Sequence, residues 1–160
     1  MKHSNKQTHD NTGPHYLQME DWLCCAPFED LLHLKIEKAT GGQAVLSMPF
    51  LYQFSQGSGL LHGGALTSLA DTAVAIACKS LLSAGTHFAT LSLESTFLAP
   101  VQKGIVTAYA VISKSKSDKH ILHGEATIKD QNGRDVMRFI STFKIARKQN
   151  GSSPLGTYIK

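Results

Sequence analysis

Residues 60–82, LLHGGALTSLADTAVAIACKSLL, decide how the rest of the chain is interpreted. Their apolar residues recur at the spacing of one long amphipathic helix, and the sheet-facing stripe predicted from that spacing is broad. Two features do not fit a plain core helix: the stretch opens on a histidine and two glycines, and it carries one acid, Asp71, among alanines and leucines. The predicted apolar stripe consists of Leu66, Leu69, Ala70, Ala73, Val74, Ile76, Ala77 and Leu81.

The opposite face of this helix is small and nearly uncharged. Asp71 and Lys79 are the only charged residues between Leu60 and Leu82, whereas a face in water normally carries more charge. Two interpretations stay open: a second copy of the helix packs on this face in a twofold dimer, or the face is exposed and Asp71 is solvated. The face holds Ser68, Asp71, Thr72, Ala75, Cys78 and Lys79.

The two glycines predict a helix start that another group can approach closely. The first N–H groups of a helix lack partners within it and lie at its positive end, so they can bind a carbonyl oxygen as it gains negative charge. Tight packing of the helix on a sheet would also explain Gly63 and Gly64. His62 and Asp71 lie on opposite sides of the helix, roughly 13 Å apart along it, so they can share a site only if a second helix runs antiparallel beside the first.

The remaining sequence predicts an antiparallel sheet that covers this helix. Two strands flank Gly41-Gly42, and four alternating segments follow the helix, the last two joined by a hairpin turn at residues 131–133. Residues 15–32 read as one or two short helices. We therefore predict an α+β fold with one domain over residues 15–146, a disordered segment 1–14 and an irregular tail 147–160. The four later segments are residues 87–100, 104–114, 120–130 and 135–145.

The composition excludes several classes of function. The net charge of +4 and pI of about 9.0 come without a block of basic and aromatic residues, so we expect no nucleic-acid partner. Two of the three cysteines are adjacent, which favours reduced thiols in the cytoplasm over a disulfide framework. His120 and His123 lack further ligands nearby, so no metal is expected. The polar N-terminus lacks the apolar core of a secretory signal, and no apolar run is long enough for a membrane span.

The stretch LLHGGALTSLADTAVAIAC resembles the signature of the hotdog-fold thioesterases of the PaaI-like type, named after phenylacetic acid degradation. The resemblance extends from APFEDLL near residue 26 to STFKI near residue 145, through LESTFLAPVQKG and DQNGRDV. It implies a sheet wrapped around one central helix. It also implies an acyl-CoA thioesterase without a cofactor beyond the coenzyme A of its substrate, with an active site shared between two subunits and dimers that often pair into tetramers.

The resemblance also assigns roles to residues. It makes Asp71 the nucleophile or general base and gives the carbonyl-polarising N–H to Gly63. His62 positions the loop and the thioester, and Thr90 orients water or the acid. Gln56 stands where the family usually has asparagine, and His33 stands where it usually has glycine. Expected substrate-binding residues are Gly64, Leu66, Thr72, Phe88, Lys114, Lys116 and Lys119.

Two points stay open at this stage. The three lysines either meet the phosphates of coenzyme A or form an exposed basic turn. A hotdog enoyl-CoA hydratase or dehydratase, using His62 and Asp71 on a carbon-bound proton, and a non-catalytic acyl-CoA-binding protein are the alternative functions. The HGG opening favours thioester hydrolysis over the first, and Asp71 favours it over the second.

Overall fold

The computed structural model describes residues 17–146 of the chain. The predicted terminal segments 1–14 and 147–160, and the first two residues of the predicted domain, lie outside them. The helices and strands are α1 (Pro27–Leu31), β1 (Lys35–Thr40), β2 (Gln43–Pro49), a 3₁₀ turn (Tyr52–Phe54), α2 (Gly63–Lys79), β3 (Phe88–Phe97), β4 (Ile105–Lys114), β5 (Ile121–Lys129) and β6 (Asp135–Ile145).

The strands form one antiparallel sheet of six strands in the order β1-β2-β4-β5-β6-β3. The β5–β6 hairpin closes through Gly133, which has a φ of +80° and donates to the carbonyl of Asp130. The predicted hairpin turn is therefore confirmed. Glycine suits this position, because a residue with a side chain would be strained at this φ. All six predicted strands form within a few residues of their predicted bounds, which confirms the α+β prediction.

Helix α2 lies across one face of this sheet, mainly over β4, β2 and β5. Its predicted apolar stripe is buried from Leu66 to Ala77, and each large aliphatic side chain in it contributes about 2 kcal/mol from burial. The helix approaches the sheet closely at Gly124 of β5, where an added Cβ would stand 2.1 Å from a methyl of Val74. A glycine at this position therefore lets the helix lie directly on the sheet.

Strand β3 is an edge strand, bonded to β6 on one side only. Leu91, Leu93 and Phe97 are 58%, 47% and 55% exposed, although the alternating pattern predicted one buried face. A register irregularity between Thr90 and Ser92 takes Leu91 out of the alternation. A long edge with exposed apolar side chains is a surface on which another strand can pair.

The long helix departs from its predicted bounds, whereas the segment before β1 agrees with the prediction. The helix runs from Gly63 to Lys79 rather than over the whole stretch 60–82, so Leu81 lies beyond its end and is 37% exposed. Within residues 17–32 one helix forms, α1, with Pro27 in its first turn, in agreement with the prediction of one or two short helices. His33 follows α1 with a φ of +54°, in the left-handed region that favours glycine, which explains why a glycine suits this position.

Within residues 17–146, no helix is long and apolar enough to cross a membrane.

Candidate active site

The start of α2 separates the roles of its two glycines. His62 is the N-cap, and its Nδ1 accepts a hydrogen bond of 2.8 Å from the N–H of Gly64. Because Nδ1 is the acceptor, the proton of the neutral imidazole lies on Nε2. None of the hydrogen bonds found within residues 17–146 uses the N–H of Gly63. The structure thus leaves Gly63 as the donor available to a ligand, whereas Gly64 serves the cap.

A cavity of about 480 Å³ lies beside Gly63. Its size is in the range of small-molecule sites, and Leu66 is the one predicted pocket residue that lines it besides Gly63 and Gln56. The sequence did not predict the other lining residues, because they come from separate parts of the chain: the loop before the helix, the end of β3 and the loop after β3. The cavity is lined by Gln56, Leu60, Leu61, Gly63, Leu66, Phe97, Leu98, Ala99, Pro100 and Val101.

Asp71 lies in the middle of α2 and faces β3. Its Oδ1 accepts a hydrogen bond of 3.3 Å from the hydroxyl of Thr90, so the two residues are in direct contact. A turn earlier, the hydroxyls of Thr67 and Ser95 lie 3.1 Å apart. The contact between α2 and β3 is therefore polar at both places, unlike the apolar contact of α2 with the rest of the sheet.

The surroundings of Asp71 suit a group that takes up a proton or attacks a carbonyl. Burial raises the pKa of its carboxyl above that of an ordinary aspartate, the Thr90 hydroxyl opposes the rise, and the negative charge of Glu29 adds to it. Burial and the charge of Asp71 raise the pKa of the Cys78 thiol to about 12. Cys78 is therefore a poor nucleophile at neutral pH, which leaves the Asp71 carboxylate as the candidate reactive group of this helix.

Within one chain the carboxylate and the free N–H donor stay apart. Gly63 and Asp71 are eight residues apart in a continuous helix, which is about 12 Å along the axis. The two halves also contact opposite parts of β3, since Gly63 lies against Phe97 and Asp71 against Thr90.

Of the other predicted residues, some lie beside Gly63 or Asp71, and the others lie at the end of the sheet where β3 begins. Gln56 lines the cavity, but its amide is hydrogen bonded to Ser58 of the same loop. Thr72 is half-buried beside Asp71. Phe88 packs on Phe143 at the start of β3, and the β4–β5 turn, with the exposed Lys114, Lys116 and Lys119, lies at that same end of the sheet, where Ile145 bonds to His120. Both are far from Gly63 of the same chain.

No group of three or more histidine, cysteine, aspartate or glutamate side chains in the described part of the chain is arranged to hold a metal ion.

Comparison with solved structures defines the class of the fold. A conserved protein of Pseudomonas aeruginosa, PA5202, superposes with a TM-score of 0.74 at 23% identity, over 80% of this chain and all of that one. The PaaI protein of Escherichia coli, from the phenylacetic acid degradation operon, superposes with a TM-score of 0.69 at 27% identity, over 76% of this chain and 86% of that one. The chain therefore has the hotdog fold, as the resemblance implied.

The sequence comparisons point to the same class of protein. Residues 58–136 match the family model described as "Thioesterase superfamily". The esterase-named protein SSO2140 of Saccharolobus solfataricus is 28% identical over 120 residues, which cover 75% of this chain and 81% of that protein. The chain is thus similar to the PaaI-like hotdog thioesterases, and its relatives support a hydrolase that acts on thioesters.

Proposed function

We propose that this thioesterase hydrolyses acyl-CoA, with Asp71 of one subunit acting on a thioester held by Gly63 of a second. The observation that carries the proposal is the division of the site along α2. The half-buried carboxylate of Asp71 faces the edge strand β3. The free N–H of Gly63 lies beside a cavity at the other end of the same strand. Each half lacks what the other supplies.

A twofold axis can join the two halves. An antiparallel copy of α2 brings Gly63 to the level of Asp71 if the axis passes near Thr67, midway between them. On β3, the midpoint of Thr90 and Phe97 falls between Leu93 and Glu94, and Ser95, which contacts Thr67, lies beside it. The helix and the strand thus give nearly the same position for the axis. Pairing of β3 with its copy would also cover the exposed edge.

The chemistry follows from these positions. Gly63 N–H binds the thioester oxygen and stabilises the negative charge that develops on it. Asp71 either takes a proton from water, which attacks the carbonyl carbon, or attacks that carbon itself to give an anhydride that water then opens. In both routes the C–S bond breaks, coenzyme A leaves as a thiolate and the acid is released. Thr90 holds the carboxylate, and His62 fixes the helix start.

The pairing also gives a place to the residues that lie far from Gly63 of their own chain. Phe88 and the β4–β5 turn are at the end of β3 that would approach Gly63 of the second copy. Lys114, Lys116 and Lys119 are then near the mouth of the shared site, where they can meet the phosphates of coenzyme A. Gln56 would act there only after leaving Ser58.

Two further expectations belong to the proposal. The outer face of the sheet leaves Tyr109, Val111 and Ile140 about half exposed, which supports the pairing of two dimers. The three cysteines are free thiols, which suits a reducing cytoplasm. Sedimentation of the purified protein measures the assembly directly: a dimer or tetramer agrees with the proposal, and a monomer at all concentrations contradicts it.

A thiol-release assay on a panel of acyl-CoA esters tests the activity. We expect Asp71→Asn to lower kcat by orders of magnitude while leaving the dimer intact. Glu125→Gln, an acid replaced on the outer face of the sheet, is the matched control and should keep the wild-type rate. Enoyl-CoA hydration by the wild type without thiol release would instead support the hydratase alternative, and coenzyme A binding with neither reaction would support a binding protein.

Mixing two inactive variants tests whether the site is shared. Asp71→Asn removes the carboxylate, and Gly63→Pro removes the N–H at a helix position that tolerates proline. A mixed dimer of these variants has one site with both defects and one intact site, so re-association at equal amounts should restore about a quarter of the wild-type activity. Gly63→Ala adds a Cβ but keeps the N–H, and it separates crowding from loss of the donor. A mixture that remains inactive, although mixed dimers form, would reject the shared site.

A further inference from the structure

The ring of Phe97 occupies the space beside the proposed N–H donor. An ideal Cβ built on Gly63 would stand 3.0 Å from Cζ of Phe97 and 3.2 Å from Cε1, closer than side chains normally approach. Phe97 comes from the end of β3, where it is paired with Met137. A side chain at Gly63 would therefore fit only if the Phe97 ring moved.

This contact lies where the acyl group must begin. A carbonyl oxygen bound to Gly63 N–H at about 2.9 Å places the carbon next to the carbonyl roughly 4–5 Å from that nitrogen. Because Phe97 lines the cavity together with Gly63, a substituent on this carbon that points towards β3 is brought against the Phe97 ring. A planar or unbranched group can pass along the face of the ring, whereas a methyl branch would need the ring to move.

We propose that Phe97 is a specificity-determining residue that selects acyl groups unbranched or planar at the carbon next to the thioester carbonyl. The proposal rests on the proposed function, because it assumes that the thioester oxygen binds Gly63. The selection occurs where Phe97 faces Gly63, a place that we call the neck of the cavity. It does not depend on the volume of the cavity. Beyond the ring, the cavity of about 480 Å³ is lined mostly by apolar side chains, which leaves room for the rest of the acyl group.

Selectivity is measured as the ratio of kcat/KM for 2-methylbutyryl-CoA to that for butyryl-CoA. One methyl group in a tight apolar site changes kcat/KM by roughly 10- to 200-fold, so we expect Phe97→Ala to raise the ratio at least about tenfold, with Phe97→Leu between. Tyr109→Ala is the control, because Tyr109 is an aromatic residue of similar exposure, 48% against 55%, on the outer face of the sheet. An unchanged ratio in Phe97→Ala would overturn the proposal.

Binding separates this proposal from the proposed function. Ketone analogues of the two CoA esters, in which a CH2 group separates the sulfur from the carbonyl, keep the carbonyl oxygen and cannot be hydrolysed, so their Kd values report binding at the neck without the chemistry. If the wild type discriminates between the analogues through Phe97 but releases no thiol, the specificity proposal stands and the hydrolytic function fails. If thiol is released and neither ratio depends on Phe97, the specificity proposal alone fails. If neither binding nor release occurs, both are rejected.

A stability cycle tests the contact itself, independently of any ligand. We expect Gly63→Ala to lower Tm in the wild-type background, since the new Cβ collides with the ring. In the Phe97→Ala background the same change should leave Tm unchanged or raise it, because alanine is the better helix former. Equal effects of Gly63→Ala in the two backgrounds would show that the ring does not limit this space.

Discussion

At the scale of single residues, Asp71 combines properties that favour reactivity over stability. Its carboxyl is half-buried on a helix face of mostly small, uncharged residues, and among the described residues its hydrogen bond comes from Thr90 alone. Burial raises its pKa in the folded protein, so the fold favours the protonated form. The ionised form that the reaction needs is kept at a cost to the folded state.

We therefore expect Asp71→Asn to raise Tm at pH 7. A folded-state pKa above the unfolded value gives a stability contribution that is complete below the unfolded pKa and is lost as the pH rises through the folded pKa. Asparagine keeps the shape without that loss, so its advantage should shrink as the pH falls toward about 4, the value for aspartate in an unfolded chain. Thermal unfolding of both proteins from pH 4 to 8 measures this. A lower Tm for the variant at pH 7 would contradict it.

The pH dependence of hydrolysis should respond to Thr90 and Glu29 in opposite directions. Thr90→Val removes the hydrogen bond that lowers the pKa of Asp71, so the acid limb of the kcat/KM profile should move to higher pH. Glu29→Gln removes a negative charge that raises this pKa, so the limb should move to lower pH. Thr90→Ser keeps the hydroxyl and is the control. Shifts in the same direction in Thr90→Val and Glu29→Gln would show that another group titrates.

The sequence predicts the polar half of this site better than its apolar half. Asp71, Gly63 and Thr90 stand at motif positions, and the structure places Thr90 on Asp71. In the sequence, Phe97 is only one residue of the alternating segment 87–100, because its contact with Gly63 joins positions that are 34 residues apart in the chain. Motif spacing cannot reveal such a contact, because the contact forms only when β3 packs beside α2.

At the scale of elements, the helix and the sheet meet through a glycine. Gly124 of β5 leaves the space that Val74 of α2 fills, and Ser141 of β6 adds a second small side chain beside it. Small residues at this crossing set the height of α2 above the sheet, and with it the distance of Asp71 from β3.

Gly124→Ala should accordingly be destabilising. Its Cβ would overlap the Val74 methyl, and overpacking of this kind costs about 1–3 kcal/mol. Adding Val74→Ala to Gly124→Ala should restore part of the lost stability, because it removes the methyl that collides with the new Cβ. Gly57→Ala is the control, since nothing lies within 4 Å of the added Cβ there. Chemical denaturation of the four proteins measures the free energies of unfolding, and a neutral Gly124→Ala would show that α2 shifts freely.

The elements themselves were predictable because their patterns are local. Alternation with a period of two gave the strands, and the run from Leu66 to Ala77 gave the buried face of the helix. The helix bounds were less accurate, because Leu60 and Leu61 continue the apolar pattern although His62 caps the helix after them. The register irregularity after Thr90 has no signal in an alternating pattern.

At the scale of the whole molecule, the strand order determines which strands form the exposed edges of the sheet. Strand β3 follows α2 in the chain but lies at the far edge of the sheet from β1, next to β6. The sequence indicated the number of strands, but not which of them would form the edges, because that depends on contacts distant in sequence. The exposed Leu93 and Phe97 are consistent with a place in an interface.

An acid at the proposed twofold axis should separate the subunits. Leu93→Glu places like charges from two copies close together, next to Glu94 of each, so we expect a monomer in sedimentation and loss of thiol release. Ile105→Glu is the matched control, an apolar residue of similar exposure, 53% against 47%, outside β3. A fully active monomer of Leu93→Glu would show that one chain suffices.

The open edge of β3 has a kinetic consequence. If each reaction centre needs two molecules that meet along this strand, the catalyst forms by a bimolecular step, and its amount depends on how much protein is present. Well below the dissociation constant of the pair, the rate of thiol release should rise with nearly the square of the enzyme added, and at higher amounts it should become linear. A dilution series of the purified protein, with time allowed for equilibration, would reveal the crossover.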